Sequence, residues 1–256
     1  SDSVEVFTAL MRSIERSQAE LLEVMEEKQK AAERRAEEFI KDLEQEITEL
    51  KRRDTELDGL IYYLIFMSHT VFLLVNVILD PDTAYPKLIL SDDGKRVSCG
   101  AIKQNLPDSQ KRFTNYSIIL GKEGFSSGRF YYEVQVRGKT EWKLGVARES
   151  IERKGETTLC PRDGFWTVGL SNGNEYYAAA NYSASLSLRE NLQKLGVFVD
   201  YEEGLVCFYD VEARSHIYFF TDQVFTEKLY PYFNPMPNDG GKNSAPLIIS
   251  PVSNTE

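Results

Sequence analysis

The first 57 residues contain no glycine and no proline, and their apolar residues fall into one stripe. Leu21, Met25, Ala32, Ala36, Phe39, Leu43, Ile47 and Leu50 follow steps of four, three and four, with Lys28 as the one charged step. Such spacing puts every member on one face of a helix. The repeat closes after eleven residues, or ~3.67 residues per turn, which favours a nearly straight or slightly right-handed pairing. Before it, Phe7, Ile14 and Leu21 keep a seven-residue step. A lone helix cannot hide one apolar stripe, so the sequence predicts self-association along a seam of Leu21, Met25, Ala32, Phe39, Leu43, Ile47 and Leu50. Glu23, Glu27, Arg34, Glu38 and Lys41 lie off the seam and keep the outer face wet. Residues 1–58 are expected to be a coiled-coil helix, about 85 Å long if fully helical. The direction of pairing is not fixed by the stripe.

The next segment changes character. From Leu60 to Leu79 there is no Asp, Glu, Lys or Arg. Twenty uncharged residues match the length of a membrane span, but Ser68, His69, Thr70 and Asn76 dilute the run, and Val71, Phe72, Val75, Val77 and Ile78 suit a strand equally well. Three readings of residues 59–78 stay open: a buried connector, a span, or an intron end translated in error. As a span it would leave the rod in the cytosol and send the remainder across, since Lys51, Arg52 and Arg53 precede it.

Beyond residue 78 short apolar alternations take over. Segments 129–138, 142–147, 164–170, 195–201, 205–211, 216–220 and 245–251 read as strands, with Glu202-Glu203-Gly204 as a hairpin link. No ten-residue helical pattern separates them, so the expected fold class is α + β in separate domains, a long coiled-coil helix followed by an antiparallel β-sandwich over residues 79–252. Cys99, Cys160 and Cys207 are far apart and odd in number, which favours a reducing compartment and makes neither a disulfide framework nor a zinc site. The net charge of −10 with no basic stripe argues against nucleic acid as a partner.

Several stretches resemble the PRY-SPRY domain. LDPDTAYPKLILSDDGKRV (79–97) looks like a PRY opening. GFSSGRFYYEVQV (124–136), WKLGVA (142–147), GFWTVGL (164–170), VDYEEGLVCFYDV (199–211), LYPYFNP (229–235) and NDGGKNSAPLIISPV (238–252) look like SPRY landmarks in order. With a coiled coil before it, the chain resembles the C-terminal half of a tripartite-motif protein, of the kind expanded in fishes. Tyr132 stands where the family usually has Trp. Gly169, Ser171 and Pro237 stand where its antibody-binding member has aromatics, so that activity is not expected here.

The resemblance implies target recognition through loops, here Arg137–Lys143, Ser150–Arg162, Ser171–Ser187 and Met236–Lys242. Candidate contacts are Arg137, Glu141, Lys143, Ser171, Asn172, Asn174, Tyr182, Pro237, Asn238 and Asp239. Tyr, Asn and Ser in the third loop combine contact area with adaptable hydrogen bonding; Tyr176 and Tyr177 read as strand residues, at least one of them core. A RING, which gives tripartite-motif ligases their activity, needs clustered Cys and His that this chain lacks. Cys207 with His216, the carboxylates Glu133, Asp200 and Glu202, and the Gly240-Gly241 turn form no recognisable active site. The expectation is a non-enzymatic, cofactor-free, cytoplasmic module that pairs with itself and binds an unidentified protein, viral ones included, in innate defence and ubiquitin-ligase targeting. The alternative is a membrane-anchored, butyrophilin-like regulator.

Overall fold

A computed structural model describes residues 2–69, 73–180, 183–188 and 191–251, with several helix side chains, among them those of residues 50–69, outside the description. The chain divides into two compact units, Ser1–Asp58 and Gly59–Glu256.

A single helix, α1, runs from Asp2 to His69, about 100 Å at 1.5 Å per residue. With no Gly or Pro before Gly59, nothing in the sequence interrupts it. Polar side chains pair along its outside, Lys30 with Glu26 at 2.8 Å and Gln29 with Glu33 at 3.0 Å. The stripe is bare: Leu21, Met25, Phe39 and Ile47 are 64, 61, 66 and 50% exposed. Ala32 and Leu43 are exposed as well; Leu50 lies outside the described side chains.

The uncharged run is shared between two elements. Its helical part ends at His69, and strand β1 (Leu73–Leu74) then pairs in parallel with Phe130 and Tyr131. Val75, Val77 and Leu79 enter the sandwich core. Among the described residues no helix is long and apolar enough to cross a membrane.

The sandwich holds thirteen further strands: β2 (88–90), β3 (96–99), β4 (119–120), β5 (129–135), β6 (142–148), β7 (165–171), β8 (175–178), β9 (184–186), β10 (194–200), β11 (205–210), β12 (215–220), β13 (229–234) and β14 (247–249). One sheet has the order β12-β11-β10-β5-β14-β3-β2, with β1 on β5; the other has β4-β13-β6-β7-β8-β9. Apart from β1, all pairings are antiparallel. Alternation sets the faces: in β5, Phe130, Tyr132 and Val134 are buried and their neighbours half-exposed, as a strand with one core face requires. Tyr132, Trp142, Phe130, Phe208 and Phe233 fill the space between the sheets. The Tyr132 hydroxyl donates to the Gly145 carbonyl at 2.5 Å and ties one sheet to the other; a tyrosine is therefore accommodated here with its polar end satisfied.

A second apolar cluster, including Phe113, Ile118, Leu120, Ile151, Phe165 and Tyr232, covers part of the outer face of the six-stranded sheet. Segment 150–162 belongs to this cover. Thr114 N–H donates to the Arg153 carbonyl, Arg153 to the Lys111 carbonyl, and Lys154 pairs with Asp108 at 2.5 Å. The four candidate loops therefore do not share one end of the sandwich: 137–141 precedes β6 and 150–162 follows it. Seven residues of strand, about 20 Å, separate their points of attachment.

Candidate protein-binding site

Register carries one line of side chains across the outer face of the six-stranded sheet. Asn234 pairs with Lys143, Lys143 with Gly169, Gly169 with Tyr177 and Tyr177 with Ser185. At about 4.8 Å per strand the row spans roughly 19 Å. Gly169 is the low point. A Cβ there would meet the Trp142 carbonyl at 2.8 Å and the Tyr177 hydroxyl at 2.9 Å. Tyr177 thus lies over Gly169, using the space a larger side chain would take. Lys143 Nζ sits 5.8 Å from the Tyr177 ring centre, within reach of a cation–π attraction.

Burial perturbs both groups. Desolvation lowers the Lys143 ammonium below the usual lysine range, with Glu141 opposing it. The Tyr177 hydroxyl is pushed up to about 12, chiefly by burial and further by Glu141. At neutral pH the row therefore presents a neutral phenol beside a partly desolvated cation, a combination suited to aromatic and acidic side chains of a partner.

Three loops frame the row from one end. Asn243 is fully buried. Its Oδ1 accepts from Thr140 N–H at 3.0 Å and Glu141 N–H at 3.1 Å. Its Nδ2 donates to the carbonyls of Glu141, Pro235 and Pro237 at 3.0, 3.0 and 3.1 Å. Two hydrogens serving three acceptors means that one is shared. Lys139, also buried, donates to the Asn243 and Ala245 carbonyls at 3.1 and 3.0 Å; desolvation brings it down to about 8. Gly173 N–H donates to the Thr140 carbonyl at 2.9 Å, which adds the β7–β8 turn to the same frame. That turn needs its residue types, because Asn172 and Gly173 have φ of 52° and 78°, tolerable for Asn and free for Gly. The Asn172 side chain donates to Glu175 at 2.9 Å.

The residues expected from sequence fall into three groups. Glu141, Lys143, Ser171, Asn172, Asn174, Pro237, Asn238 and Asp239 lie on the row or on the linked loops. Arg137 turns toward the other sheet, donating to Gln193 at 2.9 Å and standing 3.8 Å from Glu212. Tyr182 lies outside the described residues. Sequence reading did not identify Gly169 and Asn234 as members of the row, nor Asn243 as the tie beneath it; pairing partners are invisible until register is known.

Other chemistry is committed to structure. Glu133 takes Lys194 at 3.2 Å and the Tyr131 hydroxyl at 3.1 Å, Asp200 pairs with Arg129, and both Glu202 oxygens accept from Gly128 N–H at 2.9 Å. Burial pushes the Cys207 thiol up to about 12, the reverse of what a nucleophile requires. Gly240 and Gly241, at φ of 63° and 101°, form a turn. Among the described residues no group of three or more His, Cys, Asp or Glu could hold a metal ion.

Architecture and frame define a long helix joined to a two-sheet recognition domain. Family models match in the same order: the TRIM protein coiled-coil region over residues 1–62, the SPRY-associated domain over 77–125 and the SPRY domain over 129–248. The chain belongs to the tripartite-motif family. It is 44% identical to human Pyrin over 84% of its length and 45% identical to the human Zinc finger protein RFP over 70%. It is 48% identical to the human Erythroid membrane-associated protein over 68%. It spans only 27, 35 and 37% of those proteins. The solved TRIM65 PSpry domain matches 69% of the chain, and 90% of that domain, with a TM-score of 0.58 at 20% identity, a likeness of fold.

Proposed function

We propose that this chain is a dimeric protein-recognition module, in which the helix joins two copies and each sandwich holds a target on the Asn234–Ser185 row and its linked loops. The observation that carries the reading is the Asn243 frame: three loops fixed to one another beside an accessible Lys143–Tyr177 pair. Preorganised loops lose little entropy on binding, so more of the contact energy remains as affinity. Two heads on one rod would add an avidity of ~10²–10⁴ toward a repeated target. Viral assemblies, cytosolic innate defence and delivery of targets for ubiquitin ligation by a longer parent protein belong to the same proposal, and similarity to tripartite-motif proteins supports it.

The test is affinity capture from infected and uninfected cells with the full chain, followed by titration of the recovered protein. Lys143→Glu with Tyr177→Ala should abolish binding, whereas Glu203→Ala, on an exposed hairpin at the other end, should leave it intact. Equal binding by all three overturns the site.

A membrane-associated reading draws support from one relative's name. Against it, the helical part of the uncharged run, residues 60–69, is about 15 Å long, half the ~30 Å of a hydrocarbon core. Alkaline carbonate extraction of the full chain beside a version lacking Leu60–Leu79 separates the two: retention of the full chain alone in the pellet would favour the membrane.

A further inference from the structure

At the opposite end of β6, Arg148 closes a small cleft. Its Nε is buried and has no hydrogen-bond acceptor, and Arg148 forms no ion pair among the described residues. Its stem lies on Gly164, where a Cβ would come within 2.5–2.6 Å of Cγ, Cδ and Nε. Gly164 also has φ of 90°, a conformation that favours glycine, and its bare backbone leaves room for the Arg148 stem. Of the nearby carboxylates, Glu227 also lines the cleft, and both it and Glu149 already accept hydrogen bonds. Glu227 accepts from Ser150 N–H at 2.9 Å and Ser150 Oγ at 2.8 Å, and Glu149 accepts from the Tyr230 hydroxyl at 3.1 Å.

The far wall is a fixed loop. Trp166 Nε1 donates to Gln223 Oε1 at 2.8 Å, and Gln223 N–H donates to the Gly204 carbonyl at 3.0 Å. Phe225 stands edge-on to Trp166 with centroids 5.0 Å apart. Between Gln223 and Phe225, Val224 is held 84% exposed. A lone exposed valine is ordinary; here it stands on an anchored loop beside a cation whose buried donor is unused. The cleft, lined also by Pro161, has a volume of about 140 Å³. Small-molecule pockets run to roughly 300–1,000 Å³, so this one fits a single side chain.

We propose that this cleft is a second protein-binding site, which takes a carboxylate side chain of an extended acidic segment onto Arg148 while an adjacent apolar residue rests on Val224. A guanidinium donor left unused in a desolvated setting is costly, and a carboxylate is the acceptor that best satisfies it. The site stands apart from the Lys143–Tyr177 row, so one head can hold two partners, or two parts of one.

The chain has two tryptophans, Trp166 in the cleft and Trp142 at the other end of β6. Fluorine NMR of the full chain carrying fluorotryptophan therefore reads each end separately. The probe is a blocked pentapeptide alternating leucine with glutamate, beside its glutamine counterpart. The glutamate peptide should move the Trp166 signal saturably in the millimolar range and leave Trp142 still. The glutamine peptide should bind about tenfold more weakly. Arg148→Met should remove the response, and so should Val224→Asp, which alters only an exposed tip and keeps the melting temperature. No saturable Trp166 shift, an equal response to the glutamine peptide, or unchanged binding by Val224→Asp overturns the proposal.

Discussion

The rod and the sandwich treat apolar residues in opposite ways. Along α1 the large side chains Leu21, Met25, Phe39 and Ile47 face solvent. In the sandwich, Phe130, Trp142, Phe208 and Phe233 are buried within the same chain. The difference separates two sources of stability. The sandwich closes its own core, whereas a bare stripe on a helix gains little until another surface covers it. The rod's order is thus expected to depend on concentration, and the head's is not.

Charging the seam should separate rod from head most clearly. Leu43→Asp with Ile47→Asp removes four buried side chains from a dimer, each worth about 1.5–3 kcal/mol. Light scattering should show monomer where the parent chain shows dimer, with the sandwich's melting temperature unchanged. A parent chain that is already monomeric would sink the pairing. Asn243→Ala should do the reverse, costing the sandwich about 3 kcal/mol through stranded main-chain groups while the rod's helical signal persists. Urea unfolding followed at both regions reads the two effects apart.

Acid sharpens the contrast next. Burial brings His216 down to about 4 from an ordinary 6.5, and its Nε2 is buried with no acceptor. The unfolded chain takes up this proton first, so the contribution is complete above pH 6.5 and is lost as pH falls through 4. The sandwich should lose about 3 kcal/mol across that window, and His216→Gln should flatten the slope. The smallest effect on folding belongs to Lys143→Ala, within ~0.5 kcal/mol of the parent chain as for most surface changes, even though target binding should fall sharply. A large stability loss would show that Lys143 is a packing residue.

Much of this architecture could be read from residues. The stripe from Leu21 to Ile47 predicts the helix, and the alternations in β5, β6, β7, β10, β11, β12 and β14 coincide with strands. Elements of two to four residues, such as β1, β4 and β9, are too short to alternate visibly. In β13, Pro231 hides the pattern; β4 pairs only with Tyr232 and Phe233, so the proline stays off that ladder. The row was legible only as loops flanking landmarks, because Asn234, Lys143, Gly169 and Tyr177 come from four strands aligned by register. Placement of segment 150–162 was beyond a linear reading for the same reason: its neighbours at 108–115 precede it by about 40 positions.

The Asn243 side chain meets only main-chain atoms of its neighbours, and so does the Lys139 ammonium. Among the described residues neither group hydrogen-bonds to a loop side chain, although the Glu141 charge still acts on the Lys139 ammonium. Substitutions at Pro237 or Asn238 would leave these main-chain hydrogen bonds, and so the mounting of the proposed face, as they were. In engineering language, Asn243 makes a standard socket, and new specificities can be fitted to it one residue at a time.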